Sequence, residues 1–227
     1  MHDFALMTEG PTDHAILNNI LLGYFKNQRE PAVHREHPDP QAEAAFGGWT
    51  LLLQYLRDKK FRQAFQLNRF LIIQVDTDTS QDRGFDVPHQ DENGPLSVVK
   101  LVENVIERLR AEIGEPDLAT YAERFIFAVA VHQTECWVLP LWFSDARAEK
   151  ITGCVATLGR CPNLRKKLTQ KGFRWIRAEE KDPRSYDEAS RGFRKTNILH
   201  EEGRKNPSLA LFLDDLDRRE LILRAEE

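Results

Sequence analysis

A chain of 227 residues, 41% hydrophobic and 30% charged, is long enough for one sizeable core or one domain with a smaller appendage. No apolar run approaches the roughly 20 residues of a membrane span, and Met1-His2-Asp3 lacks the basic start and apolar stretch of a signal peptide, so a cytoplasmic chain with no membrane partner is expected. The net charge of -4 argues against uniform coating of nucleic acid, and three cysteines without CxxC spacing (Cys136, Cys154, Cys161) point to thiols rather than a disulfide framework or zinc ribbon.

Phe4 to Thr8 is a short apolar run that ends in the turn residues Glu9-Gly10-Pro11, the pattern of a buried strand. Pro11 then opens a helix with Ile16, Leu17, Ile20, Leu21 and Tyr24 on one face. Pro31 to Gln41 holds three prolines and two histidines, with room for a short strand at Ala32 to Glu36. Gly47-Gly48 opens a second helix, striped by Trp49, Leu52, Leu53 and Leu56. Phe70 to Val75 is a second buried strand, ending in Asp76-Thr77-Asp78. Thr77 to Pro95 is polar and without period, and loops of that length inside a domain are usually functional or mobile. Leu96 to Ile113 is an amphipathic helix, and Phe125 to Val131 is a strand apolar on both faces, hence expected at the centre of a sheet. Glu135 begins a helix carrying Trp137, Val138 and Leu141, and the rest of the chain is mainly helical. Arg174-Trp175-Ile176 is too short a run to assign. Asn206-Pro207-Ser208 precedes an apolar helix, with Ser208 as its expected N-cap.

Alternating strands and helices predict an α/β fold, a mostly parallel sheet flanked by helices with a mainly helical C-terminal part. Parallel sheets place ligands beyond the carboxyl ends of their strands. If the first two strands are neighbours, Glu9, Asp13, Asp76 and Asp78 converge there. Four carboxylates so close raise each other's pKa unless a cation intervenes, and a hard divalent ion, Mg²⁺ or Mn²⁺, takes such oxygens. The alternative is that Glu9 and Asp13 cap a helix while Asp76 and Asp78 face solvent.

A strand ending in Glu-Gly, then a helix, then a strand ending in Asp-x-Asp resembles the TOPRIM domain of topoisomerases, bacterial primases and OLD-type nucleases. The resemblance covers roughly residues 1–145, leaving 146–227 as a basic, mainly helical subdomain. It implies a Rossmann-like sheet and a phosphodiester-cleaving site with one or two ions, Mg²⁺ or Mn²⁺. Glu9 would be a metal ligand or general base, Asp76 and Asp78 metal ligands, and Asp13 the acid serving a second ion. Glu135, before Trp137, resembles the third acidic position in a branch of bacterial TOPRIM-related proteins associated with anti-phage defence. Its plainer role is a first-turn acid favoured by the helix dipole. Asp82, His14, His89 and His132 lie near these motifs; for Asp82, His14 and His89 a surface role is the ordinary expectation.

Arg160 to Lys205 holds 14 Lys/Arg against 7 Asp/Glu, so the cations are concentrated. Such a segment suits phosphate binding as well as it suits a salt-bridged helical face. Within it Arg191, Arg194 and Lys195 are the candidate nucleic-acid contacts. Size and cysteine spacing exclude a topoisomerase or a primase, and no Walker A motif is present. The resemblance therefore implies a compact metal-dependent nuclease acting on DNA or RNA, including tRNA. It would be a toxic defence effector regulated by an ABC-type ATPase on a separate chain. Trp137, Trp142 and Phe143 offer either core or a homodimer interface. Alternatives are a non-catalytic module that binds nucleic acid or a partner, and a nucleotide hydrolase.

Overall fold

In the computed structural model, residues 1–38 and 48–223 are described. Gly47, and Asp39 to Gln41 of the proline-rich stretch, lie outside the described residues. The chain forms two compact units, one of residues 1–10 with 32–131 and one of residues 11–31 with 132–227. The boundary expected near residue 145 lies inside the second.

The first unit is built on β1 (His2–Met7), β2 (Val33–His37), β3 (Asn68–Asp76) and β6 (Phe125–Ala130), four parallel strands in the order β2-β1-β3-β6. The fold is α/β and Rossmann-like. In β1 every residue after His2 is buried, and β6 is buried throughout, as apolar strands covered on both faces must be. β2 reads Val-His-Arg-Glu-His, a polar strand that suits the sheet edge it occupies. β6 is not central as its composition suggested. It is the other edge, and its burial comes from helix packing, α4 (Val98–Ile113) among the covering elements. Apolarity on both faces reports cover, and cover does not require a strand on each side.

α2 (Trp49–Arg57) follows Gly48 and buries Leu52, Leu53 and Leu56, and α3 (Phe61–Leu67) leads directly into β3. α4 starts at the N-cap Ser97, whose side chain accepts the Lys100 N–H. It ends at Gly114, where φ is 79°, and α5 (Glu115–Tyr121) follows.

The long polar stretch after β3 is pinned. Phe85 is fully buried beside Trp49, and Arg108 donates to the carbonyls of Phe85 and Gly84 at 2.9 Å each. The stretch ends in a small antiparallel ladder of β4 (Gln90–Asp91) and β5 (Gly94–Pro95).

The second unit is helical. It comprises α1 (Pro11–Tyr24), α6 (Glu135–Val138), α7 (Cys154–Gly159), α8 (Pro162–Gln170), α9 (Pro183–Ser190), α10 (Thr196–Glu201) and α11 (Pro207–Arg219). α1 packs on α9 and on the turn after it, where Gly23 is required. A Cβ there would lie 1.8 Å from the Phe193 carbonyl oxygen. The N-cap of α11 is Asn206 rather than Ser208. Its Oδ1 accepts the N–H groups of Ser208 and Leu209 and the Ser208 hydroxyl, which in turn accepts the Trp137 indole N–H at 2.8 Å.

Trp137 stacks on Phe212, and Phe143 is buried, so these aromatics serve the unit's own core. Trp142 donates its indole N–H to the Ala189 carbonyl. Cys136 and Cys154 form a disulfide joining α6 to α7, and Cys161 is a buried thiol. This corrects the expectation of three thiols. The two cysteines are 18 residues apart, and only the packing of α6 on α7 brings them together.

Candidate functional site

β1 and β3 are neighbours, with Met7 level with Ile73. Glu9, two residues past that pair, and Asp76, the last residue of β3, therefore leave the same edge of the sheet. The Asp76 N–H donates to Glu9 Oε1 at 2.8 Å, so the first acidic motif is bonded to the second.

Gln74 completes this link. It is fully buried in β3, its side-chain Oε1 accepts the Glu9 N–H at 3.2 Å, and its Nε2 donates to Asp76 Oδ1 at 2.8 Å. One amide thus orients the backbone of one acidic residue and the side chain of the other. Sequence reading passed over Gln74 as part of an apolar run. The signal was present, because a lone amide between Ile73 and Val75 must find partners inside.

The turns that carry the acids are also braced. The Thr8 hydroxyl donates to the Gly10 carbonyl at 2.8 Å, and the Gly48 N–H donates to the Glu9 carbonyl at 2.8 Å. On the other motif, the Thr77 N–H donates to the Ala130 carbonyl of β6 at 3.0 Å. His89 Nε2 stands 2.6 Å from the Thr77 carbonyl and 3.0 Å from the Ser80 hydroxyl, which donates to the Val87 carbonyl. His89, expected to be a surface residue, ties the far end of the polar loop to the Asp-x-Asp turn. Asp76 is buried, Asp78 half-buried and Asp82 exposed.

Asp13 and Glu135 belong to the second unit, where each is buried with partners of its own. Asp13 Oδ1 accepts the Thr134 hydroxyl at 2.5 Å. Glu135 Oε1 accepts the Tyr186 hydroxyl at 2.8 Å and lies 3.1 Å from the Lys181 ammonium. Thr134 and Glu135 are adjacent in sequence, so one turn serves both acids. Tyr186 and Lys181 carried no sequence signal for this role, being some 50 residues downstream.

Arg191 and Arg194 are engaged in ion pairs. Arg191 lies 2.7 Å from Asp187 and 3.3 Å from Glu188, and Arg194 lies 2.7 Å from Asp187 and also donates to Asn19. Lys195 is exposed at the start of α10. Glu188 is the hub of this face. Its buried carboxylate meets Lys171 at 2.8 Å and Lys167 at 2.9 Å. Burial pushes its pKa up, but Lys171, Lys167 and Arg191 outweigh burial and hold it below the usual glutamate range.

Carboxylate oxygens at the ends of adjacent strands are the donors that Mg²⁺ and Mn²⁺ take, so Glu9, Asp76 and Asp78 fit such an ion in kind. Among the described residues, no three His, Cys, Asp or Glu side chains form a group ready to hold one. No protein-family model matches the chain, and comparisons with curated proteins and with solved structures find no match. Among the described residues, no helix is long and apolar enough to cross a membrane.

Proposed function

We propose that the chain is a metal-dependent nuclease of the TOPRIM kind. The observation that carries this reading is the Glu9–Gln74–Asp76 link, in which a buried amide binds the two acidic strand ends together. A bound divalent ion would offset phosphate charge and lower the pKa of a water molecule. Glu9, Asp76 and Asp78 would hold it, with Gln74 fixing the approach of Asp76. Outer hydrogen bonds of this type orient metal ligands and raise affinity. Water would add to phosphorus as the P–O bond to the leaving oxygen breaks, that oxygen taking its proton from solvent, with Glu9 serving either as a ligand or as the base that takes the water's proton. Regulation by an ABC-type ATPase on a separate chain belongs to the same reading. A homodimer would have to use surface other than Trp137 and Phe143.

The test incubates purified protein with Mg²⁺ or Mn²⁺ and plasmid DNA, single-stranded DNA or total tRNA. Cleavage by the wild type, reduced about 10²- to 10⁴-fold in Glu9→Gln, is the expected result. Equal cleavage by a folded Glu9→Gln variant would refute the assignment.

A further inference from the structure

Residues 173–177 have no regular secondary structure, yet the segment is held firmly within the second unit. Ile176 is buried, and its carbonyl meets Gly159 so closely that a Cβ at Gly159 would lie 2.6 Å from the oxygen. The Ser185 hydroxyl donates to the Arg174 carbonyl at 2.7 Å, and the Trp175 indole N–H donates to Thr169 Oγ1 at 3.0 Å. Three anchors therefore hold Trp175 in place while the residue as a whole remains 38% exposed. Arg165 and Arg177 sit over that ring, with their guanidinium carbons 4.5 Å and 5.6 Å from its centroid.

Two depressions meet at Arg177. One, of about 410 Å³, is lined by Arg160, Arg165, Ile176 and Arg177 among others. The other, of about 290 Å³, is lined by Phe173, Arg174, Trp175, Arg177 and Glu180. Glu180 pairs with Arg174, and Glu179 lines the larger depression, which leaves the patch cationic.

From this surface we infer that Trp175 and its arginines form a binding site for single-stranded nucleic acid, with a base on or beside the indole and phosphates on Arg160, Arg165 and Arg177. Every cation here is an arginine, the side chain that both stacks on rings and pairs bidentately with phosphate. A flat indole at the surface can reach only a base that has left its stack, which selects single strands and loops over duplex. The inference goes beyond the nuclease reading, because it concerns binding and needs no cleavage.

The full chain in EDTA is titrated into fluorescein-labelled oligonucleotides of about 12 nucleotides, within the site size of one single-strand-binding fold. Single-stranded DNA, single-stranded RNA and duplex are compared by anisotropy. Single strands should bind more tightly than duplex, and Trp175→Ala should weaken them about tenfold while Trp175→Phe retains most of the affinity. Arg160→Ala with Arg177→Ala should flatten the log-log salt slope by about 1.4, two single-strand phosphate contacts. The inference is overturned by wild-type affinity in Trp175→Ala, by preference for duplex, or by Trp175-dependent binding to phosphatidylserine vesicles at equal strength. If Trp175→Ala does not fold, the arginine double variant decides, and a salt slope unchanged from the wild type overturns the inference. A chain that binds in this way but cuts nothing with Mn²⁺ defeats the nuclease proposal alone, and one that cuts with Trp175→Ala binding unchanged defeats this one alone.

Discussion

Replacing Gln74 by leucine isolates the link between the two acidic motifs. Leucine occupies nearly the same space, so little packing is lost, but both side-chain hydrogen bonds go. The bond to Asp76 is charge-assisted and contributes roughly 1.5–3 kcal/mol, and the one from the Glu9 N–H roughly 0.5–1.5 kcal/mol. Leucine's burial recovers about 1 kcal/mol of this, leaving a net loss of about 1–3.5 kcal/mol. For a chain of this size that lowers Tm by roughly 2–14 °C.

The same change releases the Asp76 carboxylate from its fixed orientation, so Mn²⁺ affinity should fall about 10- to 100-fold. Scanning calorimetry in EDTA reads the first effect and isothermal titration with Mn²⁺ the second. Gln74→Glu separates them further, since it keeps an acceptor for the Glu9 N–H but replaces the Asp76 donor with a second negative charge. A Gln74→Leu variant with wild-type Tm and wild-type Mn²⁺ affinity would refute the view that Gln74 organises this edge.

Asp76→Asn and Asp78→Asn should each lose Mn²⁺ binding; calorimetric titration showing wild-type affinity in both would count against their ligand role. In the second unit, Glu188→Gln should cost about 2–3 kcal/mol at neutral pH, because Lys167, Lys171 and Arg191 lose their shared partner. Since the folded-state pKa of Glu188 lies below the usual glutamate value, its contribution is complete above about pH 5 and is lost as pH falls through about 4.3 and then through the folded value. The wild-type stability curve should therefore be steeper in acid than that of Glu188→Gln, and parallel curves by chemical denaturation would show that the carboxylate contributes nothing.

The sequence by itself determined the strands and longer helices of the α/β sheet and the two acidic motifs. Their signals are local: apolar runs that end in Glu-Gly and Asp-x-Asp, a proline at the start of α1, and the helical period of α4. Strand adjacency was a condition in that reading, and the register of Met7 with Ile73 supplies it. What only the tertiary structure decided depends on partners distant in the chain. Gln74 looked like one polar residue in an apolar strand until Glu9, 65 residues away, bonded to it. β6 looked central because sequence shows that a strand is covered but not by what. Ser208, expected to cap α11, lies inside its first turn, and its hydroxyl instead receives the indole N–H of Trp137, 71 residues earlier. The disulfide and the Tyr186–Glu135 bond arise in the same way, across 18 and 51 residues. Propensity and periodicity act over one or two turns of chain, whereas a buried polar group is satisfied by whichever partner the packing delivers.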